Sequence, residues 1–272
     1  MSGYFENKVA VVTGAASGLG LGITEALLAR GARAVFMADV NDENLARESK
    51  RLRSALGGTV LGTVIPRHTD VTKLDQVEAL VRDAKDFDGH LDFVFNNAGM
   101  GMTLPTEKIT FDIWNFVVNL NLMGVVHGTY TAIPIMREQG FGHIVNTGSI
   151  AGRIPLPYQA VYAATKSAVI SMTESLQYEL EVEGLSFSVF CPANVRTAIF
   201  GEMAPPPDSI SVEEAVEYIF AEIEKKAIVI VLPEAAREFD RLYREDYEEF
   251  QRLAREMAAE RRENYRTKGT YC

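Results

Sequence analysis

The chain is poor in cysteine, histidine and tryptophan, and each shortage excludes something. Its two cysteines, Cys191 and Cys272, make no disulfide framework and show no metal-ligand spacing. That usage fits a reducing compartment, and the expectation is a cytoplasmic protein. The four histidines, His68, His90, His127 and His143, are scattered and form no ligand pair, so no metal site is expected. No apolar run approaches the ~20 residues of a membrane-crossing helix. Residues 1–8 lack the basic-then-apolar pattern of a leader peptide. Positive charge is also short: 27 Lys and Arg face 37 Asp and Glu, a net charge of −10. Nucleic acid and anionic membrane surfaces would repel such a chain, so neither is an expected partner.

What remains is ordinary globular material, 47% hydrophobic and 24% charged over 272 residues, enough for one large α/β domain. Short β-branched and aromatic runs at 9–12, 34–38, 60–65, 93–95, 144–146, 186–190 and 228–232 read as strands buried on both faces. Helical patterns at 20–30, 43–55, 74–86, 111–137, 160–181 and 212–225 alternate with them. Strand–helix alternation predicts right-handed crossovers and a doubly wound parallel sheet of about seven strands. Pro205, Pro206 and Pro207 mark an exposed connection. The domain is expected over residues 1–233, with 234–272 a helical extension of the same unit. In that extension Phe239, Tyr243, Tyr247, Phe250, Ala254 and Met257 recur every three or four residues, the stripe of an amphipathic helix spanning 234–266. The stripe suits packing on its own domain or on a neighbouring subunit, with a lid over the site as the sharper alternative.

The first strand runs into Thr13-Gly14-Ala15-Ala16-Ser17-Gly18-Leu19-Gly20, directly before a helix. Glycines there let backbone N–H groups and a helix N-terminus approach a diphosphate. Asp39 closes the second strand, nineteen residues beyond Gly20. A carboxylate at that place accepts hydrogen bonds from ribose hydroxyls and repels a 2′-phosphate, which favours NAD over NADP. The plainer role for Asp39 is to cap the turn before Asn41.

Tyr162 and Lys166 stand four apart in a helical stretch and so share a face. A tyrosine with its ordinary pKa of ~10 is a poor base at neutral pH, and an ammonium one turn away favours the phenolate. Ser149 ends the preceding strand, where its hydroxyl can meet a substrate oxygen. Alone, a Tyr-x-x-x-Lys pair also describes an ordinary solvated helix face.

Together these motifs resemble the short-chain dehydrogenase/reductase family over residues from about 8 to 232. The Thr-Gly-x-x-x-Gly-x-Gly turn matches Thr13 to Gly20, and the Asn-Asn-Ala-Gly after the fourth strand is Asn96-Asn97-Ala98-Gly99. Ser149 precedes Tyr162 by the family's thirteen residues. Asn121 lies seven after Trp114 and opens Asn-x-x-Gly, which Asn119 does not. The resemblance implies a Rossmann-type fold that transfers hydride between nicotinamide and a secondary alcohol or ketone. It implies Tyr162 as acid/base, Lys166 on the nicotinamide ribose, Ser149 polarising the substrate oxygen, and Asn121 supporting a water that relays protons from the lysine. It places Gly14, Ser17, Gly18, Leu19, Gly20 and Asp39 on the dinucleotide, Asp70 and Val71 at the adenine, and Asn97, Ala98, Gly99, Pro192, Val195 and Thr197 along the rest. It also implies a homodimer or homotetramer. An NADPH-preferring carbonyl reductase is the alternative within enzymes. A cofactor-sensing scaffold is the alternative outside them, although a scaffold has no need of Asn121, Ser149, Tyr162 and Lys166 together.

The chain departs from the family at Pro192-Ala193-Asn194-Val195-Arg196-Thr197, where alanine replaces the usual glycine. The alanine removes easy access to positive φ and predicts an altered pocket shape. Met100, Met102, Ile154, Leu156, Tyr158, Ile199, Phe200 and Met203 flank the motifs, either lining an apolar substrate pocket or packing as ordinary loop residues. Arg153 faces an anionic substrate group or solvent. Cys191, at a buried strand end, is expected to be inert.

Overall fold

Seven strands, most of them buried on both faces, line up in one parallel sheet: β1 (Val9–Thr13), β2 (Ala34–Asp39), β3 (Thr63–His68), β4 (Phe93–Asn96), β5 (Gly142–Thr147), β6 (Leu185–Pro192) and β7 (Val229–Leu232). The computed structural model describes residues 3–55, 62–197, 206, 208–269 and 271. The helices in chain order are α1 (Gly18–Ala29), α2 (Asp42–Ala55), α3 (Leu74–Asp88), α4 (Phe111–Val118), α5 (Gly124–Gln139), α6 (Ile150–Arg153), α7 (Ala160–Leu180), α8 (Val212–Glu224), α9 (Glu234–Glu245) and α10 (Tyr247–Lys268).

The strand order is β3-β2-β1-β4-β5-β6-β7, so the chain reverses its direction of winding between β1 and β4. Crevices of α/β sheets open at such a reversal, outside the carboxyl ends of the strands. Helices cover both faces. Ile23 and Leu27 of α1, Leu45 and Leu52 of α2, and Ile219 and Phe220 of α8 pack on one. Val77 and Leu80 of α3, Ile133 and Met136 of α5, and Leu176 and Leu180 of α7 pack on the other. Each such buried side chain contributes roughly 1.5–3 kcal/mol.

The elements differ from expectation in four places. β3 begins at Thr63 and runs to His68, three residues past the expected end; residues 60 and 61 lie outside the described ones. It is an edge strand whose second half, Pro66-Arg67-His68, is largely exposed and carries no apolar signal. The helix expected over 111–137 is interrupted by a wider π turn at Asn119–Met123. Among the described residues this composite stretch, Phe111–Gln139, is long and apolar enough to cross a membrane by length and composition. It reaches that level by average hydropathy, not by an unbroken apolar run, and α5 packs against α3 and β4. The single extension helix is two helices, broken at Asp246, whose backbone leaves the helical region (φ −136°, ψ 76°) and whose carboxylate caps α10 through the Glu249 N–H at 3.0 Å. Finally, α6 is a one-turn helix that the sequence did not suggest.

The aromatic stripe of the extension packs on its own chain. Phe250 is 2% exposed and joins Ala236, Ile150, Ile154, Phe239, Tyr243 and Ala254 in one apolar cluster.

Candidate active site

The glycine turn forms because only glycine fits it. Gly14 has φ +66°, and a Cβ on Gly20 would stand 2.1 Å from the Gly14 carbonyl oxygen. The first turn of α1 therefore lies directly on the end of β1, and Ser17, Gly18 and Leu19 line the crevice. Across the winding reversal, the Thr13 hydroxyl accepts the N–H groups of Asn97 and Ala98, each at 3.0 Å. The Asn97 amide donates to the Thr13 carbonyl, also at 3.0 Å. Asn97 thus ties β4 to β1 with its own side chain.

A cleft of about 570 Å³ opens there. All the residues expected to hold a dinucleotide line it except Gly20, which shapes the turn from behind. Asp39 accepts the Ala16 N–H at 3.0 Å with one carboxylate oxygen and the Asn41 N–H at 2.9 Å with the other. It caps its turn and also stands in the cleft wall, so the two sequence readings coexist. Burial opposes the charge of Asp70, but two hydrogen bonds from Thr72, at 2.7 and 2.9 Å, outweigh it and hold the carboxyl below its usual range.

At the other end stand Ser149, Tyr162 and Lys166. Burial raises the Tyr162 phenol pKa, and the neighbouring Ser149 hydroxyl offsets part of that rise. That direction is opposite to the one the four-residue spacing predicts. Lys166 Nζ lies 5.8 Å from the tyrosine ring centroid and donates to the Thr147 carbonyl at 2.7 Å. Burial lowers its own pKa to about 8. Desolvation therefore governs both groups more than their mutual field does.

Asn121 sits in the π turn, fully buried and outside the cleft lining. Its amide donates to the Met100 carbonyl and accepts the Met100 N–H, both at 2.9 Å. Both ends of the side chain are thereby committed to the loop after β4. Gly99 separates it from the lysine: a Cβ there would be 3.0 Å from Asn121 Oδ1 and 3.7 Å from Lys166 Nζ.

Of the residues flanking the motifs, Met100 lines the cleft. Met102 packs with Trp114 and Tyr162, while Ile154 and Leu156 pack with the extension. Tyr158 stacks on Tyr271 at 4.7 Å. Ile199, Phe200 and Met203 lie outside the described residues. Arg153 stands outside the cleft lining and is largely withdrawn from solvent; it pairs with Asp240 at 2.9 Å. Ala193 has no positive φ, so the alanine costs the backbone nothing, and it packs in the same cluster as the extension helices. Burial pushes the Cys191 thiol up to about 12, which keeps it protonated.

The sequence reading missed Thr147. The residue lines the cleft, its carbonyl holds Lys166, and its buried hydroxyl has no protein partner. The available signal was its place two residues before Ser149 at a strand end. An orphan hydroxyl and a glycine cradle that a Cβ would fill fit a bound dinucleotide.

Fold and cleft define a dinucleotide-binding α/β protein. The short chain dehydrogenase family model matches residues 8–207. An uncharacterized oxidoreductase of Staphylococcus saprophyticus is 36% identical over 208 residues, 76% of each chain. A short chain dehydrogenase/reductase from Burkholderia phymatum, solved in complex with NAD, superposes with a TM-score of 0.80 at 33% identity, covering 90% of this chain and 95% of that one. A Burkholderia cenocepacia short chain dehydrogenase in complex with NADP gives 0.79 at 29% identity, covering 92% and 98%. The chain belongs to the short-chain dehydrogenase/reductase family and is an NAD(P)-dependent oxidoreductase.

Proposed function

We propose that the enzyme is NAD-dependent and interconverts an uncharged, apolar secondary alcohol and its ketone, with Tyr162 as acid/base. The observation that carries this reading is the convergence of Ser149 and Tyr162 on the cleft wall, backed by a lysine anchored to Thr147. When bound, the nicotinamide supplies the hydride acceptor or donor. Ser149 and Tyr162 then share the substrate oxygen, Ser149 by donating a hydrogen bond and Tyr162 by taking or giving the proton. Holding these donors in place before reaction is the main source of acceleration. Lys166 fixes the nicotinamide ribose. Asn121 acts by holding the loop after β4, since both ends of its side chain are committed to Met100.

Asp39 in the wall supports NAD. The NADP-bound Burkholderia cenocepacia neighbour keeps an NADPH-preferring reductase as the second reading. An uncharged substrate follows from the pairing of Arg153 with Asp240: among the described lining residues the charged ones are Asp39, Asp70 and Lys166. The chain is read as one unit, cytoplasmic and homodimeric or homotetrameric. Exposed Phe111, Phe116, Tyr130 and Tyr178 on α4, α5 and α7 favour a subunit contact there over the extension stripe, which is used internally.

The test is a panel of secondary alcohols and ketones followed by nicotinamide absorbance with each cofactor. The reading expects turnover of apolar members with NAD favoured, and Asp39→Ala should erode that preference. Preference for NADPH in the wild type would overturn the use made of Asp39.

A further inference from the structure

Helix α6 has a single turn, and one turn does not hold itself in water. Ser149 begins it: its hydroxyl oxygen accepts the Ala151 N–H at 3.1 Å and its carbonyl accepts the Gly152 N–H at 3.0 Å. The tilt of α6 and the direction of the Ser149 side chain are therefore one variable. Four contacts set that tilt, one of them a hydrogen bond from the Ser167 hydroxyl of α7 to the Gly152 carbonyl at 2.8 Å. Gly152 lies so close to α7 that a Cβ would be 2.6 Å from the Lys166 carbonyl carbon. Ile150 and Ile154 enter the apolar cluster with Ala236 and Phe250. Arg153, the last residue of α6, gives Asp240 of α9 two hydrogen bonds, at 3.3 and 2.9 Å.

The ion pair is the directional contact that comes from the extension. Its side chains are 15% and 12% exposed, well withdrawn from water. Two apolar residues would fill such a junction with comparable stability. What the charges add is fixed geometry, because a guanidinium fork and a carboxylate fit in few orientations.

We propose that Arg153 and Asp240 are positioning residues for the Ser149 hydroxyl, and that through them the C-terminal helices set the geometry of the reacting end of the cleft. The proposal rests on the reading of Ser149 and Tyr162 given above. It gives a role to the two helices beyond β7, which reach back to the one-turn helix that Ser149 begins.

The experiment compares wild type, Asp240→Asn, Arg153→Ala and the double variant by amide hydrogen exchange, dinucleotide titration and steady-state kinetics. Exchange at Ala151, Gly152 and Ile154 should accelerate by about tenfold or more in the variants, with β5 amides unchanged. The value of kcat should fall by about ten- to a hundredfold, while dinucleotide affinity stays within about twofold. The double variant should lose no more than Asp240→Asn alone, which already removes the partner of Arg153 together with the longer bonds to Arg244. Arg153→Lys, which keeps charge but loses the fork, should fall in between and serves if the harsher variants do not fold. Unchanged exchange at the three amides, or retained kcat with loosened amides, overturns the proposal. Exchange is read without turnover, so a wild type inactive on every alcohol and ketone would sink the function and leave this result separately decided.

Discussion

Lys166 donates its ammonium proton to the main-chain oxygen of Thr147 at 2.7 Å, joining α7 to the end of β5 beneath the cleft. Lys166→Met should lower kcat/KM by about a hundredfold or more, because it removes both the anchor and the charge behind Tyr162. Lys166→Arg should not rescue it, since a planar guanidinium does not reproduce the ammonium's hydrogen bond to the Thr147 carbonyl. Steady-state kinetics with a parallel thermal melt separates lost chemistry from lost fold. Activity within about threefold of wild type would contradict this role.

Gly20→Ala should weaken dinucleotide binding by about tenfold or more, equivalent to roughly 1.4 kcal/mol. The added methyl would collide with the Gly14 carbonyl 2.1 Å away and push α1 off the end of β1. Fluorescence titration with NADH measures the loss.

His143 links stability to pH. The Ser188 hydroxyl donates to the Ala227 carbonyl at 2.6 Å, so it accepts from His143 Nε2 at 2.9 Å. That leaves Nδ1 to accept from the Tyr4 hydroxyl at 3.0 Å. Burial, and secondarily the charge of Lys226, lowers the imidazole pKa from 6.5 to about 3. The unfolded chain therefore takes up the proton first as pH falls. The histidine's contribution is complete above pH 6.5 and is lost progressively toward pH 3, on the order of a few kcal/mol. Denaturant unfolding from pH 7 to 4 should fall more steeply for wild type than for His143→Gln. Parallel curves would refute the assignment.

Phe250→Ala should cost about 3–5 kcal/mol, because the ring is 2% exposed within the cluster that seats the extension. Tyr247→Ala, at a residue 53% exposed, should cost under about 1 kcal/mol. Chemical denaturation of both variants provides the comparison.

Periodicity and the glycine, asparagine and tyrosine motifs made the sheet, the winding reversal and most of the cleft wall readable before any coordinates. The failures have physical causes. The outer half of β3 is polar because an edge strand needs no second buried face. The break at Asp246 was announced by Asp246-Tyr247-Glu248-Glu249, a helix-start signal hidden inside an unbroken aromatic stripe. The partners of Arg153 and Ala193 lie across the fold, where spacing carries no information. The tyrosine's raised pKa likewise depends on burial, which a four-residue interval cannot convey.

Tyr162→Phe tests the account most directly, because it removes one oxygen and leaves the ring packed with Met102, Val161 and Trp114. On the best substrate from the panel, single-turnover hydride transfer should slow by at least about a hundredfold while dinucleotide affinity holds. Transfer at the wild-type rate would place the proton elsewhere and contradict the mechanism.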